Sequence, residues 1–253
     1  MRAPPHAAIG APELPLGIPW ANGDPMTMGR LLGRTVLIEF WDFCRPNSLR
    51  TLPYLKAWHE RYHGDGLRIL GVHSPGFGCS APEQAVRDAV ARLQIPYPVL
   101  IDSELLLWQE YENEGWPARY LWDERGILFE YHYGEGAYQD TERAIGELVG
   151  VEREPLAPLR PEDTPGAQLA PQSADVAGAH QGPYEAGGVW AVLDGHGTVR
   201  VNGRAVEVTH PGAYPLLEHP VHTRGVLALE IGPGVDCYAT CFTPGLAGEP
   251  TAT

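Results

Sequence analysis

Cys44-Arg45-Pro46-Asn47-Ser48 is the stretch of this sequence best placed to do chemistry. It follows a nearly unbroken apolar run at 36–41 and precedes Leu49, Leu52 and Leu55, whose spacing predicts the first turns of a helix. A strand running into a helix at the carboxyl edge of a sheet is where open α/β folds keep their sites. The unpaired N–H groups and partial positive charge of a helix start lower the pKa of a nearby thiol and make it nucleophilic. Three readings of Cys44 follow. It is a small apolar residue packed in a loop, or a single thiolate beside Arg45 that carries monothiol or peroxide chemistry, or one half of a pair with Cys79. Cys79 falls in a loop after the predicted strand 67–73, on the same edge, and bonding would need the two Cα atoms within about 7 Å.

Other clusters have a chemical reading and a plainer one. His59-Glu60-Arg61-Tyr62-His63 has the H-E-x-x-H spacing that sets two imidazoles on one helical face with a glutamate between them. Gly64 ends that helix and no third ligand is in view, so the histidines are expected to sit against the negative end of the helix dipole. Glu218, His219 and His222 are metal-ligating types, with His196 and His210 elsewhere in the same half, but Pro220 predicts an ordinary turn and no metal is expected. Gly195-His196-Gly197 begins like a phosphate loop, yet no helix follows it, which makes it a hairpin turn. Cys237 and Cys241, four apart on a predicted strand, should share one face about 13 Å apart and pack in the core. Tyr184, Trp190, Tyr214 and Tyr238 either stack on sugar rings or fill a core, and in so small a domain the core is the expected place.

The elements that must position these residues fall into two kinds. Up to about residue 150, apolar strand-like runs at 36–40, 67–73, 98–102, 120–122 and 127–133 alternate with helical periodicity at 47–63, 82–93, 104–112 and 141–148, an α/β order. Prolines at 155, 158, 161, 165 and 171 then predict a linker over 151–171. Beyond it only strands are predicted, at 188–193, 198–201, 205–209, 213–217, 225–231 and 237–242, with Asn202-Gly203 as a hairpin turn. The expected organisation is a tail over 1–10, an α/β domain over 11–150, the linker, a small all-β sandwich or jelly-roll-like domain over 172–246, and a second tail over 247–253.

The chain has 253 residues, 43% of them apolar, and a formal charge of −14. That charge excludes phosphate-backbone binding as a main role, because such binders need a basic surface to release counterions. The first fifteen residues hold no apolar run long enough for a secretory h-region, and no stretch reaches the length of a membrane span, so the expectation is a cytoplasmic protein without nucleic-acid or membrane partners. Four scattered cysteines are not a secreted disulfide framework.

FWDFCRPNSLRTLPYL, followed by LRILGVHSPGF, IPYPVLID and GWPARYLWDERG, resembles the TlpA-type thiol-disulfide oxidoreductases, and within them the soluble C-terminal part of DipZ-type proteins. The resemblance covers most of 11–150 and continues more weakly through 189–244. It implies a thioredoxin-like fold followed by a β-sandwich similar to carbohydrate-binding modules. It also implies a Cys-x-x-Cys site, and an ungapped alignment on Ser48 to Pro53 puts Arg45 at the attacking and Ser48 at the resolving cysteine. Both thiols are missing. Pro53 matches a proline of the first helix, Trp116-Pro117 the cis-proline loop that faces the active site, and Glu39 the buried acid that handles protons beneath the dithiol.

The function expected from all this is a redox-degenerate binding or accessory protein. Its substrate-facing cleft would be formed by Trp41, Arg45, Pro46, Asn47, Ser48, Trp116 and Pro117, and its partner would be a protein or a thiol-bearing small molecule, with a homodimer as one arrangement. The rival is a one-cysteine reductase or peroxidase at Cys44, with Glu39 as proton carrier and Cys79 as resolving thiol. Glycan or partner binding by the β domain is a third reading. No cofactor is expected in any of the three.

Overall fold

The computed structural model describes residues 1–2 and 8–248. The chain divides into two compact units, Met1–Phe43 with Asn47–Ala157, and Cys44–Pro46 with Pro158–Thr253. In the first, the elements run β1 (Trp20–Asn22), α1 (Met28–Leu31), β2 (Thr35–Trp41), α2 (Pro46–Tyr62), β3 (Leu67–His73), α3 (Glu83–Arg92), β4 (Val99–Ile101), α4 (Leu106–Glu110), β5 (Ala118–Trp122), β6 (Leu128–Tyr133) and α5 (Tyr138–Val149). The sheet order is β1-β4-β3-β2-β5-β6, with β2, β3 and β4 parallel and the rest antiparallel. This is the thioredoxin-like α/β arrangement expected from the sequence.

β2 is buried along its whole length, as a central strand covered on both faces must be. Its side chains alternate: Val36, Ile38 and Phe40 join a core with Leu31, Leu107, Tyr111 and Tyr120, while Leu37, Glu39 and Trp41 point to the other face. Tyr54 of α2 stacks on Tyr138 of α5 with ring centroids 3.8 Å apart. Between these helices lies a buried carboxylate. Glu142 accepts from the Trp58 indole N–H at 3.1 Å, the Tyr62 hydroxyl at 3.1 Å and the Leu156 amide at 2.8 Å, and pairs with Arg61 at 3.0 Å.

The second unit contains β7 (Leu169–Ala170), β8 (Val176–Ala177), β9 (Gln181–Gly195), β10 (Gly197–Val201), β11 (Arg204–Val208), β12 (Gly212–Ile231), β13 (Val235–Thr243) and β14 (Gly245–Leu246). Six of these form one antiparallel sheet, β11-β10-β12-β9-β13-β8. Both halves of the long strands β9 and β12 feed a single core that holds Ala186, Val189, Leu193, Leu216, Leu227 and Phe242, so the sheet closes over itself in sandwich fashion. Asn202 and Gly203, with φ of 48° and 82°, make the predicted hairpin turn between β10 and β11.

Three local expectations are corrected. The strands predicted at 213–217 and 225–231 are one strand, and Glu218, His219 and His222 lie within it, not in a turn. Pro220 sits in a bulge between the Glu218 and Thr223 pairings, where its missing N–H costs no ladder bond. Cys237 and Cys241 lie on opposite faces, because a bulge between Cys237 and Ala239 flips the alternation. Cys237 pairs with core-facing Leu193, and Cys241 with Trp190 on the other side. The segment expected to be a free tail is bridged near both ends, Arg2 to Glu130 of β6 and Gly10 to Ile127 just before it, while residues 3–7 of it and 249–253 of the other lie outside the described residues. Among the described residues no helix is long and apolar enough to cross a membrane.

Glu142 generates a stability prediction. Glu142→Leu should cost about 3 kcal/mol in urea unfolding, since it leaves three buried donors unpaired, whereas Glu142→Gln, whose carbonyl oxygen still accepts, should cost about 1 kcal/mol. Equal losses in the two variants would mean that shape, not acceptance, is what the site requires.

Candidate functional site

Parallel strands end together, and at the carboxyl ends of β2, β3 and β4 the sequence turns polar in each case: Asp42, then His73-Ser74, then Asp102. All four are buried. The Asp42 carboxylate accepts from the Gly76 amide at 2.8 Å and the Ser80 hydroxyl at 3.1 Å, and its other oxygen lies 3.4 Å from His73 Nε2. The Asp42 amide in turn donates to Ser48 Oγ at 3.2 Å. His73 is held between rings, stacked on Phe43 at 5.1 Å and edge-on to Trp41 at 5.2 Å. Asp102 accepts from Ser74 Oγ at 2.9 Å and from the amides of Leu107 and Trp108, so it orients the start of α4. The Ser74 carbonyl accepts from the Trp116 indole at 2.8 Å, and Trp108 stacks on Trp116 at 4.1 Å. The bond from Trp116 to Pro117 is cis, as the resemblance implied.

Ser48, aligned with the resolving cysteine, is therefore a buried hydroxyl engaged with a backbone amide. Arg45, aligned with the attacking cysteine, is half-buried, and Pro46 is the first residue of α2. Among the residues expected to face a substrate, only Asn47 is exposed. Arg45 and Trp116 are half-buried, and Trp41, Pro46, Ser48 and Pro117 are buried. The correction has local causes: Trp41 lies against Gly71 and His73, and Ser48 turns inward to Asp42. Cys44 and Cys79 are both buried and neither is in a disulfide, with Cys79 in a short 3-10 turn over Gly78–Ser80 that Ser80 fastens to Asp42. Cys237 and Cys241 are also free, and burial pushes their thiols up to about 11 and about 12. Both are protonated at neutral pH and inert as nucleophiles.

Glu39 sits in mid-strand between Gly71 of β3 and Arg119 of β5, fully buried, with neither oxygen hydrogen-bonded among the described residues. Burial pushes its carboxyl up to about 7, partly opposed by Arg119. Nearby Tyr97 is held well above its ordinary value by burial and by the Glu39 charge. A carboxyl that titrates near neutrality inside a core is a store for one proton.

Sequence reasoning missed Asp42, His73, Ser74, Ser80 and Asp102. The signal was present, since each of them except Ser80 follows or ends an apolar strand, but it marks an edge without saying which groups meet. His59 and His63 stand side by side with ring centroids 4.8 Å apart, and among the described residues no group of His, Cys, Asp and Glu is arranged to hold a metal.

No family model matches the chain. Protein DipZ of Mycobacterium bovis and of Mycobacterium tuberculosis is 33% identical over 172 residues, which cover 64% of this chain and 25% of DipZ. The chain thus spans about a quarter of the length of those relatives. Thiol-disulfide oxidoreductase YkuV of Bacillus subtilis is 27% identical over 139 residues, 54% of this chain and 93% of YkuV. Among solved structures, the thioredoxin-like superfamily protein SPOA0173 superposes with a TM-score of 0.51 at 22% identity, over 58% of this chain and 100% of that one, a likeness of fold.

The Glu39 carboxyl has a measurable consequence. Its folded value near 7 lies above its ordinary 4.5, so the folded state holds the proton more tightly. The associated stability is fully present below about pH 4.5 and is lost as pH rises through about 7, a loss of about 3 kcal/mol in total. Urea unfolding of the wild type relative to Glu39→Gln should show this decline between pH 4 and pH 8. A difference that stays flat across that range would place the Glu39 proton elsewhere.

Proposed function

We propose that this chain, whose first unit belongs to the TlpA/DipZ type of thioredoxin-like redoxins, binds a partner at the carboxyl edge of its sheet and does not exchange disulfides with it. One observation carries the reading: the two positions aligned with the dithiol hold a guanidinium and a hydroxyl, and that hydroxyl, on Ser48, is buried and accepts from the Asp42 amide. Thiol-disulfide exchange needs one thiolate to attack and a second sulfur to release the mixed disulfide. Neither Arg45 nor Ser48 can form a bond to sulfur of that kind. Asn47, exposed, and Trp116, half-buried, offer the accessible part of the edge, on a base fixed by Asp42 and Asp102.

The partner is a protein or a thiol-bearing small molecule, as the family chemistry favours. Monothiol chemistry at Cys44 is the competing reading, supported by the raised Glu39 carboxyl, which would serve as its proton carrier. The burial of both Cys44 and Cys79 weighs against it.

Insulin reduction separates the two. The wild type and Cys44→Ser should both show no turnover, while the double variant Arg45→Cys with Ser48→Cys should form an internal disulfide and gain reductase activity, because the scaffold beneath it is intact. Turnover by the wild type that disappears in Cys44→Ser would end the binding-protein reading.

A further inference from the structure

A cavity of about 620 Å³ opens beside β5 and β6 in the first unit, and neither Asp42 nor Ser48 lines it. Its volume is in the range of small-ligand pockets. Five of its lining residues are aromatic: Tyr111, Tyr120, Trp122, Tyr131 and Tyr133. Tyr120 and Trp122 are nearly parallel, at 16° with centroids 6.3 Å apart, and the other neighbouring pairs meet at steep angles. Tyr111 stands at 73° to Tyr120 and 88° to Trp122, Tyr133 at 89° to Tyr120 and 68° to Tyr131, and the centroids of these pairs lie 5.1 to 6.1 Å apart. Rings that only fill a core need no void beside them, yet here Tyr111, Tyr120 and Trp122 belong to the core and also wall an open space.

The charge of the lining is one-sided. Glu110, Glu112 and Glu114 contribute to it, and among its described residues there is no lysine, arginine or histidine. Ring faces carry the negative lobe of the aromatic quadrupole, and Tyr131 and Tyr133 are the two of these rings with appreciable exposure at the cavity, above the buried Tyr111, Tyr120 and Trp122. The walls are already fixed: the Tyr120 hydroxyl donates to Asn113 Oδ1 at 2.6 Å and lies 3.0 Å from the Tyr133 hydroxyl.

We propose that this aromatic and acidic cavity is a binding site for a small organic cation, an alkylated ammonium whose methyl groups pack on the rings while its charge is met by the quadrupoles and the glutamates. A preformed box of this kind loses little entropy on binding. The site is independent of the redox question, so its test stands or falls without the proposed function.

Calorimetric titration of the whole protein with choline and with tetramethylammonium, set against the neutral isostere 3,3-dimethylbutan-1-ol, tests the proposal. Both cations should bind saturably and the neutral alcohol at least about tenfold more weakly. Tyr131→Leu and Glu112→Gln, surface changes checked for folding by circular dichroism, should each weaken choline about fivefold, the factor for roughly 1 kcal/mol. Failure of both cations to bind the folded wild type would overturn the site. Equal binding of the neutral alcohol would also overturn it, by showing an apolar void without charge recognition.

Discussion

Parallel strands that end inside a protein leave a carboxylate such as Asp42 with no water to turn to, so the surrounding chain must supply donors for it. The Gly76 amide, the Ser80 hydroxyl and the His73 ring all converge there, and the Asp42 amide reaches forward to Ser48. An unpaired buried carboxylate would cost several kcal/mol, so these contacts are not free to vary independently. They fix the loop after β2, the 3-10 turn that bears Cys79 and the first turn of α2 as a single body. Asp102 repeats the device two strands further on, and through Ser74 and Trp116 it ties the cis-proline loop into the same network.

Glu39, three residues before Asp42 on the same chain segment, is treated in the opposite way. Among the described residues no donor meets it, and burial raises its proton affinity to near neutrality. Two buried carboxyls, one saturated with hydrogen bonds and one left bare, divide the work of the strand: Asp42 holds geometry and Glu39 holds a proton. Such pairs with environments that push their behaviour apart are how a fold assigns roles to chemically equal groups. The proton store is intact although the two aligned thiol positions are not sulfur.

The sequence made the long elements legible because their apolar alternation is strong. β3 falls at the predicted residues, and the order of strands and helices through α5 follows from periodicity alone. β1 and α1, three and four residues long, are too short to carry a period, and their place is set by Trp20 and Leu31 entering a core assembled elsewhere. Bulges defeated local reading in the β half. At Pro220 a residue that usually ends a strand is absorbed by an irregular register, and at Cys237 one extra residue reverses which side chains share a face. Site chemistry was legible where it depends on residue identity, as with Arg45 and Ser48. It was not legible where it depends on meeting in space, as with His73 and Ser80, which lie 31 and 38 residues along from Asp42.

Ser48 ties the start of α2 to the end of β2 through a hydroxyl. A thiol is a weak hydrogen-bond partner, whereas a hydroxyl accepts well from an amide, so serine at this position gives the Asp42 amide a better partner than cysteine would. Serine therefore suits this loop better than a thiol would. With the helix start secured by that bond and the carboxylate behind it held by Gly76 and Ser80, there is no structural requirement for a disulfide to hold β2 against α2. The edge of the sheet can then serve as a fixed surface, which is what a binding role requires and a dithiol cycle, with its alternation between bonded and free sulfurs, does not provide.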